Sequence, residues 1–487
     1  MASQLLINVS PGETRVALVS AGRLVEAYVE RPAERGITGN LYKGKVERVL
    51  PGMQAAFLDI GLDKAAFLYA GDAVWEEGGI EFDGENAAPR PAPRIQDVVR
   101  RGEEILVQVA KEPLGSKGPR VTTQVSLPGR YLVYFPNLGK VGISRRIESA
   151  DERARLRALA EKLRDGTGGF VLRTLAEGVS EEELSQEASF LSRLWSELRD
   201  REKATPAGNL VHEDLALPFR AARDLATEGL AEIVVDDPSV REKLERFLSA
   251  YDPELARKIQ PYASGKPLFD HYGVEVDLQR LFSRKVFLPS GGHIVVDSSE
   301  ALTAVDVNTG RFVGKRDFEE TALKTNLEAA VEVARQLRLR NVGGIVVVDF
   351  IDMQQETSRT RVREALLAAL REDRAKTTVT AFSDLGMIEL TRKRLREPLL
   401  HSLLDSCPYC DGRGRVRSAA SVAGDVLRQL AREPKAKAFR VHANPEVTAY
   451  LQGEGRAALE EAEKQYGKIA LTAESSFHRE RFEVKKG

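Results

Sequence analysis

Short apolar stretches that alternate with polar residues dominate the first 125 residues of the chain. Residues 4–29 alternate in pieces that are broken at Ser10-Pro11-Gly12 and at Ala21-Gly22. Similar short runs then follow one another, at 39–46, 54–61, 65–68 and 104–109. Period-two alternation between glycine turns is typical of β-strands. The pattern therefore predicts a strand series and then a small antiparallel barrel, interrupted by a loop over residues 78–94.

After Arg145 the apolar residues recur with helical spacing. The predicted helices cover residues 151–163, 181–200, 215–226, 240–250, 319–339, 359–373 and 420–432, and one more is predicted to begin near Thr391. The predicted strands between them cover residues 169–174, 231–235, 293–297, 301–307, 344–350 and 378–382. Alternating strands and helices indicate α/β structure from Val286 onward.

The composition is that of an ordinary soluble multidomain protein. The chain has 487 residues, of which 42% are hydrophobic and 30% charged, and its net charge is −1. This length suggests about three domains, or more if some are small. No apolar run approaches the ~20 residues that span a bilayer, and the amino terminus lacks a basic export signal. We therefore expect a cytoplasmic protein.

Basic residues cluster locally although the chain as a whole is nearly neutral. They lie at Arg359, Arg361, Arg363, Arg371, Arg374, Lys376, Arg392, Lys393, Arg394 and Arg396. A charge run most often marks a solvated helix face. The alternative, which the acidic motifs nearby support, is that the basic residues line a groove that binds nucleic acid.

The only two cysteines form the motif Cys407-Pro408-Tyr409-Cys410, which glycines and arginines follow. A structural zinc ion requires four nitrogen or sulfur ligands, and this motif supplies two. The motif therefore predicts a zinc ion shared between two copies of the chain, and hence a homodimer. A redox pair is one alternative, and a mononuclear site completed by His401 is another.

Two aspartates stand out in the α/β region because each comes at the end of an apolar strand. Asp306 lies in Ala304-Val305-Asp306-Val307-Asn308, and Asp349 ends the run 345–349. Carboxylates at the ends of adjacent strands can converge on magnesium, which takes one or two protein carboxylates and fills its octahedron with water and phosphate oxygens. Asn308 would face the same side as Asp306 and orient it, and Asp352 is a weaker candidate. The alternative is that Asp306 caps a turn and Asp349 caps the following helix.

The predicted barrel carries two phenylalanines, Phe57 and Phe67, near Lys43, Lys45, Lys64 and Lys117. Aromatic side chains on such a barrel stack on unpaired bases while lysines contact phosphates. The alternative is that both phenylalanines belong to the core. The run Gly115-Ser116-Lys117-Gly118 lacks the spacing of a phosphate-binding loop, and no nucleophile elbow of a serine hydrolase is present.

Several longer runs together resemble the ribonuclease E/G family of endoribonucleases. They are residues 51–57 with Phe67, 300–308, 335–340, 349–353 and 407–410, spread over essentially the whole chain. The run 387–394 and the absence of a long disordered scaffold resemble the shorter, G-type branch of this family. We accordingly expect no scaffold of the kind that recruits degradosome partners.

The resemblance implies a multidomain α/β and α+β fold. Its parts would be an RNase H-like layer (1–36 and 215–278), an inserted S1 or OB-fold barrel (37–124), a 5′-sensor domain (125–214), a DNase I-like catalytic subdomain (279–400), a zinc link (401–416) and a small dimerisation domain (417–487).

The resemblance also implies roles for individual residues. Asp306 and Asp349 match the family's magnesium ligands, Asn308 the residue that positions Asp306, and Cys407 with Cys410 the intersubunit zinc link. The RNA contacts of the barrel would be Phe57, Phe67 and Lys117. The 5′-monophosphate sensor would be Arg173 and Thr174, supported by Arg145, Gly129 and Val133. Lys376 departs from the family pattern, where ribonuclease E has arginine.

The implied function is magnesium-dependent endonucleolytic cleavage of single-stranded RNA, with preference for 5′-monophosphorylated substrates, in rRNA 5′-end maturation and mRNA decay. The expected cofactors are Mg²⁺ and Zn²⁺, and the expected partners are RNA and a second copy of the chain, with a higher oligomer left open. Two other readings remain: a non-catalytic S1-type RNA-binding protein and a metal phosphodiesterase that acts on DNA.

Overall fold

The chain divides into an amino-terminal unit of residues 1–402 and a carboxy-terminal unit of residues 403–487. The structure, a computed structural model, describes residues 3–73, 80–82, 93–113, 117–164, 168–226, 229–310, 318–394, 396–434 and 436–487. No helix among these residues is long and apolar enough to cross a membrane.

Most of the strands of the amino-terminal unit are short. In chain order they are β1 (Ser3–Ser10), β2 (Glu13–Ser20), β3 (Arg23–Glu30), β4 (Leu41–Leu50), β5 (Ala55–Asp59), β6 (Ala66–Tyr69), β7 (Ile80–Phe82), β8 (Glu104–Lys111), β9 (Arg120–Thr122), β10 (Leu127–Pro128), β11 (Leu132–Phe135), β12 (Val141–Ser144), β13 (Gly169–Leu172), β14 (Asn209–His212), β15 (Leu230–Val235), β16 (Ile259–Pro261), β17 (Lys285–Phe287), β18 (His293–Ser298), β19 (Leu302–Asn308), β20 (Gly344–Asp349), β21 (Thr377–Phe382) and β22 (Met387–Arg392).

The α-helices up to the boundary of the two units vary from one turn to more than six. They are α1 (Ile95–Val98), α2 (Ala150–Leu163), α3 (Glu181–Ala204), α4 (Leu217–Leu225), α5 (Pro238–Tyr251), α6 (Pro253–Ala256), α7 (Leu268–His271), α8 (Val274–Leu281), α9 (Phe318–Leu339), α10 (Glu356–Leu370) and α11 (Leu399–Leu403). Side chains cap several helix starts: Ser149 accepts from the Glu152 amide before α2, and Ser180 forms a capping box with Glu183 before α3. These caps explain why the predicted starts of both helices agree with the structure to within a residue.

The first sheet joins two distant parts of the chain. Its strand order is β16-β15-β1-β2-β3, and β1 pairs in parallel with β15. Alternate residues of its strands, such as Leu5 and Val16, pack with α4 and α5 in one core. The strands β1, β2 and β3 were predicted, with both breaks at the predicted turns, and the structure adds that they pair as an antiparallel meander.

The second sheet closes into a five-stranded barrel in the order β4-β5-β6-β9-β8, because β8 also pairs with β4. β14 extends the sheet beside β4. The closed barrel is consistent with an S1 or OB fold. One detail of the prediction was wrong: β6 and β9 run parallel, because a connection through other strands separates them.

The third sheet has the order β10-β11-β13-β12-β7, and α2 and α3 pack on it. Its edge strand β7 lies inside residues 78–94, which were predicted as a loop, so the prediction was wrong at Ile80–Phe82. These residues form a strand because they pair with β12. Residues 78–79 and 83–92 of the predicted loop lie outside the described residues.

The fourth sheet has the order β17-β18-β19-β20-β22-β21, in which β19 and β20 run parallel. Helices α9 and α10 cover one face, with a core that includes Val305, Val348 and Leu366. On the other face the side chains of Asp306, Asp349, Leu302 and Ile345 are exposed. The sheet is therefore covered on one side only within the described residues.

The prediction of a helix that begins near Thr391 was wrong. Residues 387–392 are strand β22, between β20 and β21. Burial alternates along this strand, and Arg392, one of its inward residues, forms an almost fully buried ion pair with Asp373 at 2.6 Å. Tertiary pairing thus overrides the local preference of this charged segment.

A buried acid, Glu26 of β3, connects the first sheet to α9 and to the segment before β21. It pairs with Arg338 of α9 at 2.9 Å and with Arg374 at 2.6 Å, and it accepts a hydrogen bond from Tyr28 at 2.6 Å. Burial raises the pKa of the Glu26 carboxyl, but the two arginines outweigh burial and hold that pKa at about 2. Arg396 stacks on Tyr28, 3.4 Å from the ring centroid. Arg374 and Arg396, two members of the predicted basic cluster, therefore make internal contacts. For these two residues the prediction of a nucleic-acid groove or a solvated helix face was wrong.

The carboxy-terminal unit contains a three-stranded sheet of order β24-β23-β25 with three helices. Its elements are α12 (Ala419–Arg432), β23 (Ala438–Ala443), α13 (Pro445–Gln452), α14 (Arg456–Tyr466), β24 (Lys468–Ala473) and β25 (Phe482–Lys486). The predicted helix over 420–432 is confirmed as α12.

Candidate active site

The register of two parallel strands brings the two predicted aspartates together. Asp306 of β19 lies directly opposite Asp349 of β20, and neighbouring strands lie about 4.8 Å apart. Both side chains point to the open face, because their neighbours along each strand, such as Val305 and Val348, are buried on the other face. Asn308, two residues after Asp306, donates a hydrogen bond from Nδ2 to Asp306 Oδ2 at 2.7 Å. The predicted constellation therefore shares one surface.

Two carboxyl groups, those of Asp306 and Asp349, lie side by side on this surface. Burial raises the pKa of Asp349 above its usual range, and Asp306 and Asp352 add to this rise by repulsion. Helix α10 begins at Glu356 after Gln355, so Asp349 does not cap it. Repulsion between neighbouring carboxylates is relieved when a cation binds between them.

The donor set suits magnesium better than a transition metal. No group of three or more His, Cys, Asp or Glu side chains among the described residues is arranged to hold a metal ion. Magnesium is commonly held by only one or two carboxylates, since it keeps several waters and takes substrate phosphate oxygens. The pair Asp306 and Asp349 fits that requirement.

The barrel phenylalanines form a cross-strand pair on its surface. Phe57 of β5 lies opposite Phe67 of β6, and their ring centroids are 5.7 Å apart in an edge-to-face arrangement. Both are half-buried, and neither belongs to the buried barrel core. Lys117 is exposed and three residues before Arg120, which lies opposite Phe67. The reading of both rings as core residues is therefore not supported.

The predicted sensor residues surround the third sheet. Arg173 follows β13 and donates from Nη1 to the Gly129 carbonyl at 2.6 Å. Thr174 shares a hydrogen bond with Ser144 at 3.0 Å, and Ser144 is next to the exposed Arg145. Val133 of β11 lies opposite Val171 of β13. All five residues thus belong to this sheet or to the segments that leave it.

Sequence reasoning missed the acid that holds Arg173. Asp224 of α4 accepts from Arg173 Nη1 at 2.9 Å and also pairs with Arg223. Burial raises the pKa of Asp224, but Arg223 and Arg173 outweigh burial and lower it. The Asp224 carbonyl accepts from Arg374, which also pairs with Glu26. No motif marks Asp224, because the contact spans 51 residues and joins the end of β13 to helix α4.

The cysteine motif is a tight turn within the carboxy-terminal unit. The Cys410 amide donates to the Cys407 carbonyl, and Asp411 and Gly412 have positive φ. Amides of Tyr409 and Cys410 lower the pKa of the Cys407 thiol, and the Gly414 amide donates to Cys410 Sγ at 3.3 Å. Amide donors to sulfur favour thiolates, which are the ligands that zinc requires. No third His, Cys, Asp or Glu ligand joins the pair among the described residues.

Comparison with known proteins places these features in a family. The model described as "Ribonuclease E/G family" matches residues 126–395, and "RNase E/G, Thioredoxin-like domain" matches residues 406–487. The chain is 46% identical to ribonuclease G of Salmonella typhimurium and to ribonuclease G of Escherichia coli K12, over 99% of this chain and of each relative. It is 40% identical to ribonuclease E of E. coli K12 over 94% of this chain but only 43% of that relative. The expected likeness to the G branch is thus confirmed.

Proposed function

Because the chain belongs to the ribonuclease E/G family, it is an endoribonuclease, and we propose that it cleaves single-stranded RNA at a magnesium site held by Asp306 and Asp349. The observation that carries this proposal is the register that sets Asp306 opposite Asp349 on an exposed sheet face. Two repelling carboxylates on an open surface can hold a cation and leave room for a polymeric substrate.

The three residues of the site have separate roles. Asp306 and Asp349 hold the cation, and Asn308 fixes the orientation of Asp306 through its 2.7 Å hydrogen bond. Magnesium, when bound, supplies positive charge beside the scissile phosphodiester and lowers the pKa of a bound water. The protein contributes position and electrostatics, which account for most of the rate in phosphate chemistry. The products would be 5′-phosphate and 3′-hydroxyl ends.

The barrel and the third sheet would recognise the substrate outside the scissile bond. The surface pair Phe57 and Phe67 offers ring faces and edges to unpaired bases, with Lys117 for phosphate. A 5′-monophosphate would be sensed by Arg173 and Thr174, supported by Arg145, Gly129 and Val133. A guanidinium fork and backbone groups are suited to binding such a phosphate. In this proposal the enzyme acts in the cytoplasm on rRNA precursors and mRNA.

The carboxy-terminal unit would join two chains. Cys407 and Cys410 provide two zinc ligands, and the same pair from a second copy would complete the tetrahedron. The proposed assembly is therefore a homodimer with one shared zinc ion.

The experiment that tests the proposal is cleavage of a labelled single-stranded RNA by Asp306→Asn, with and without magnesium. We expect the native chain to need magnesium and the variant to lose at least ~100-fold of its rate while it still binds RNA. Asp297→Asn is the matched control, since Asp297 is exposed on the neighbouring strand and pairs with Arg284. Cleavage by Asp306→Asn at the native rate would overturn the metal site, and a parallel DNA substrate tests selectivity for RNA.

A further inference from the structure

An exposed aromatic side chain lies on the open face of the catalytic sheet, in the same row as the candidate active site. Phe287 of β17 is opposite His293 of β18, and His293 is opposite Asn308 of β19. Two strand spacings, about 10 Å, therefore separate the Phe287 and Asn308 backbones. The three side chains lie on one face because paired residues of neighbouring strands point the same way.

Phe287 is 71% exposed, far more than Phe57 or Phe67, which are half-buried. Phe287 is not part of the core that the sheet forms with α9 and α10. His293 is its neighbour, with ring centroids 6.3 Å apart. A single exposed apolar residue is ordinary. Two adjacent rings beside a reactive site form a surface on which a flat ligand can stack.

The charges around these rings suit a nucleotide chain. The Lys285 Nζ lies 5.1 Å from the Phe287 ring centroid. Lys285 is opposite Val295, Val295 is opposite Asp306, and Asp306 is opposite Asp349, so the lysine and the acid pair share one row of the sheet. A cation held by the acids and the ammonium group would place positive charge at two points along this row. The rings of Phe287 and His293 lie beside this row, two residues further along β17 and two residues back along β18. Positive charge next to aromatic faces is the combination that binds single strands.

We propose that Phe287 and His293 form a stacking subsite for an unpaired base close to the scissile phosphate, and that Lys285 contacts a neighbouring phosphate. This inference rests on the proposed RNA-cleaving function and adds a determinant of cleavage-site choice outside the barrel. The subsite would select for an unstacked nucleotide at one fixed distance from the cut.

The test measures the affinity of the full chain for a 5′-labelled single-stranded RNA in EDTA, so that cleavage does not interfere. We expect Phe287→Ala to bind about 5- to 100-fold more weakly, the range of one lost base stack. Phe287→Trp should restore affinity because it keeps a ring, whereas Phe287→Leu should not. Lys285→Ala should weaken binding and reduce its salt dependence.

A second arm locates the base. Abasic nucleotides are placed one at a time around the cleavage position, and the native chain should lose affinity at one position near the cut. Phe287→Ala should be insensitive there and unchanged in its response elsewhere. Native affinity of Phe287→Ala, or an equal response at every position, would overturn the subsite.

Ile345→Ala is the matched control, because Ile345 is 51% exposed on the same sheet face but lies opposite Leu302, away from the acid pair. We expect its RNA affinity to be native. If Phe287→Ala and Ile345→Ala both change the oligomeric mass instead, the open face is a contact between chains and the proposal is wrong. The binding test in EDTA is independent of the cleavage test with Asp306→Asn. Native cleavage by Asp306→Asn would overturn the proposed metal site but would leave the measured base stacking unaffected.

Discussion

At the scale of single residues, hydrogen bonds fix the candidate functional side chains: Asn308 donates to Asp306, and Arg173 donates to Asp224. Asp306, Asn308 and Asp349 stood out by their positions at strand ends, and the register then set the two carboxylates opposite one another. Arg173 was identified only through a family resemblance, and the structure adds that Asp224 and the Gly129 carbonyl already hold its guanidinium. In the proposed 5′-end sensor, an arginine fixed in this way would lose little further side-chain entropy on binding a phosphate.

Replacement of Arg173 tests the sensor at this scale. We expect Arg173→Ala to bring the ratio of cleavage rates on 5′-monophosphorylated and 5′-hydroxyl RNA to about one, because the fork that recognises the phosphate is lost. The ratio is measured with two oligonucleotides of identical sequence. Arg199→Ala, which changes an exposed arginine paired with Glu202 on α3, serves as the control. An undiminished preference in Arg173→Ala would refute the sensor assignment.

At the scale of elements, cross-strand neighbours decide the roles of side chains. Phe57 and Phe67 gave two readings from the sequence, core or surface, because alternation along a strand does not say which face is covered. Their pairing outside the barrel core favours the surface reading. The misassigned helix near Thr391 has a related cause, because β22 forms through distant partners and an ion pair with Asp373.

Phe57→Ala distinguishes the two readings of the barrel pair. We expect the free energy of RNA binding to weaken by about 1–3 kcal/mol, while the free energy of unfolding changes by less than the ~3–5 kcal/mol typical of a core phenylalanine. Leu68→Ala is the contrasting control, since Leu68 is fully buried and should destabilise by ~2–5 kcal/mol. Binding is followed by fluorescence anisotropy and unfolding by urea titration. If Phe57→Ala lowered the free energy of unfolding by ~3–5 kcal/mol while RNA affinity stayed native, Phe57 would be a core residue.

The Glu26 cluster predicts an acid-sensitive joint between the first sheet and α9. Glu26→Gln leaves Arg338 without its buried partner and should cost about 3 kcal/mol at pH 7. Because the folded pKa of Glu26 is lowered from 4.5 to about 2, its stabilisation is complete above about pH 5 and is lost as pH falls towards 2. The difference between native chain and variant should therefore shrink by roughly half at pH 3. Urea unfolding at pH 7 and pH 3 measures it, and a constant difference would contradict the assigned pKa.

At the scale of the whole molecule, the motif with Cys407 and Cys410 bears on the proposed assembly of two chains into a dimer. Within the carboxy-terminal unit, Tyr409 stacks on His478 with ring centroids 4.3 Å apart, and its carbonyl accepts from His478 Nε2 at 2.6 Å. The loop that carries both thiols is thus fixed to the folded domain behind it. In the proposed dimer, one such fixed cysteine pair on each chain would supply two of the four zinc ligands.

Metal removal tests this assembly. We expect the native chain to be a dimer with one zinc ion per two chains. A chelator should convert this dimer to monomers, because it removes the ion that both chains bind. Light scattering gives the mass and elemental analysis the zinc content. Cys407→Ser should be monomeric and zinc-free, whereas Ser406→Ala, a neighbouring change that leaves both thiols, should behave as native. A monomer with a full complement of zinc would rule out the shared site.

The sequence by itself determined most of the element types and singled out the candidate acids and the cysteine pair on which the zinc prediction depends. These follow from local patterns: periodicity, strand-end carboxylates and the spacing of two cysteines. The tertiary structure alone decided which strands pair, and with that the Asp306–Asp349 register, the parallel β1–β15 contact and the row that joins Phe287 to Asn308. Strand pairing joins residues that are distant in the chain, and its energy comes from cross-strand side chains that no local pattern reveals. For the same reason Asp224 and the Glu26 cluster, which connect different sheets, became visible only in the folded molecule.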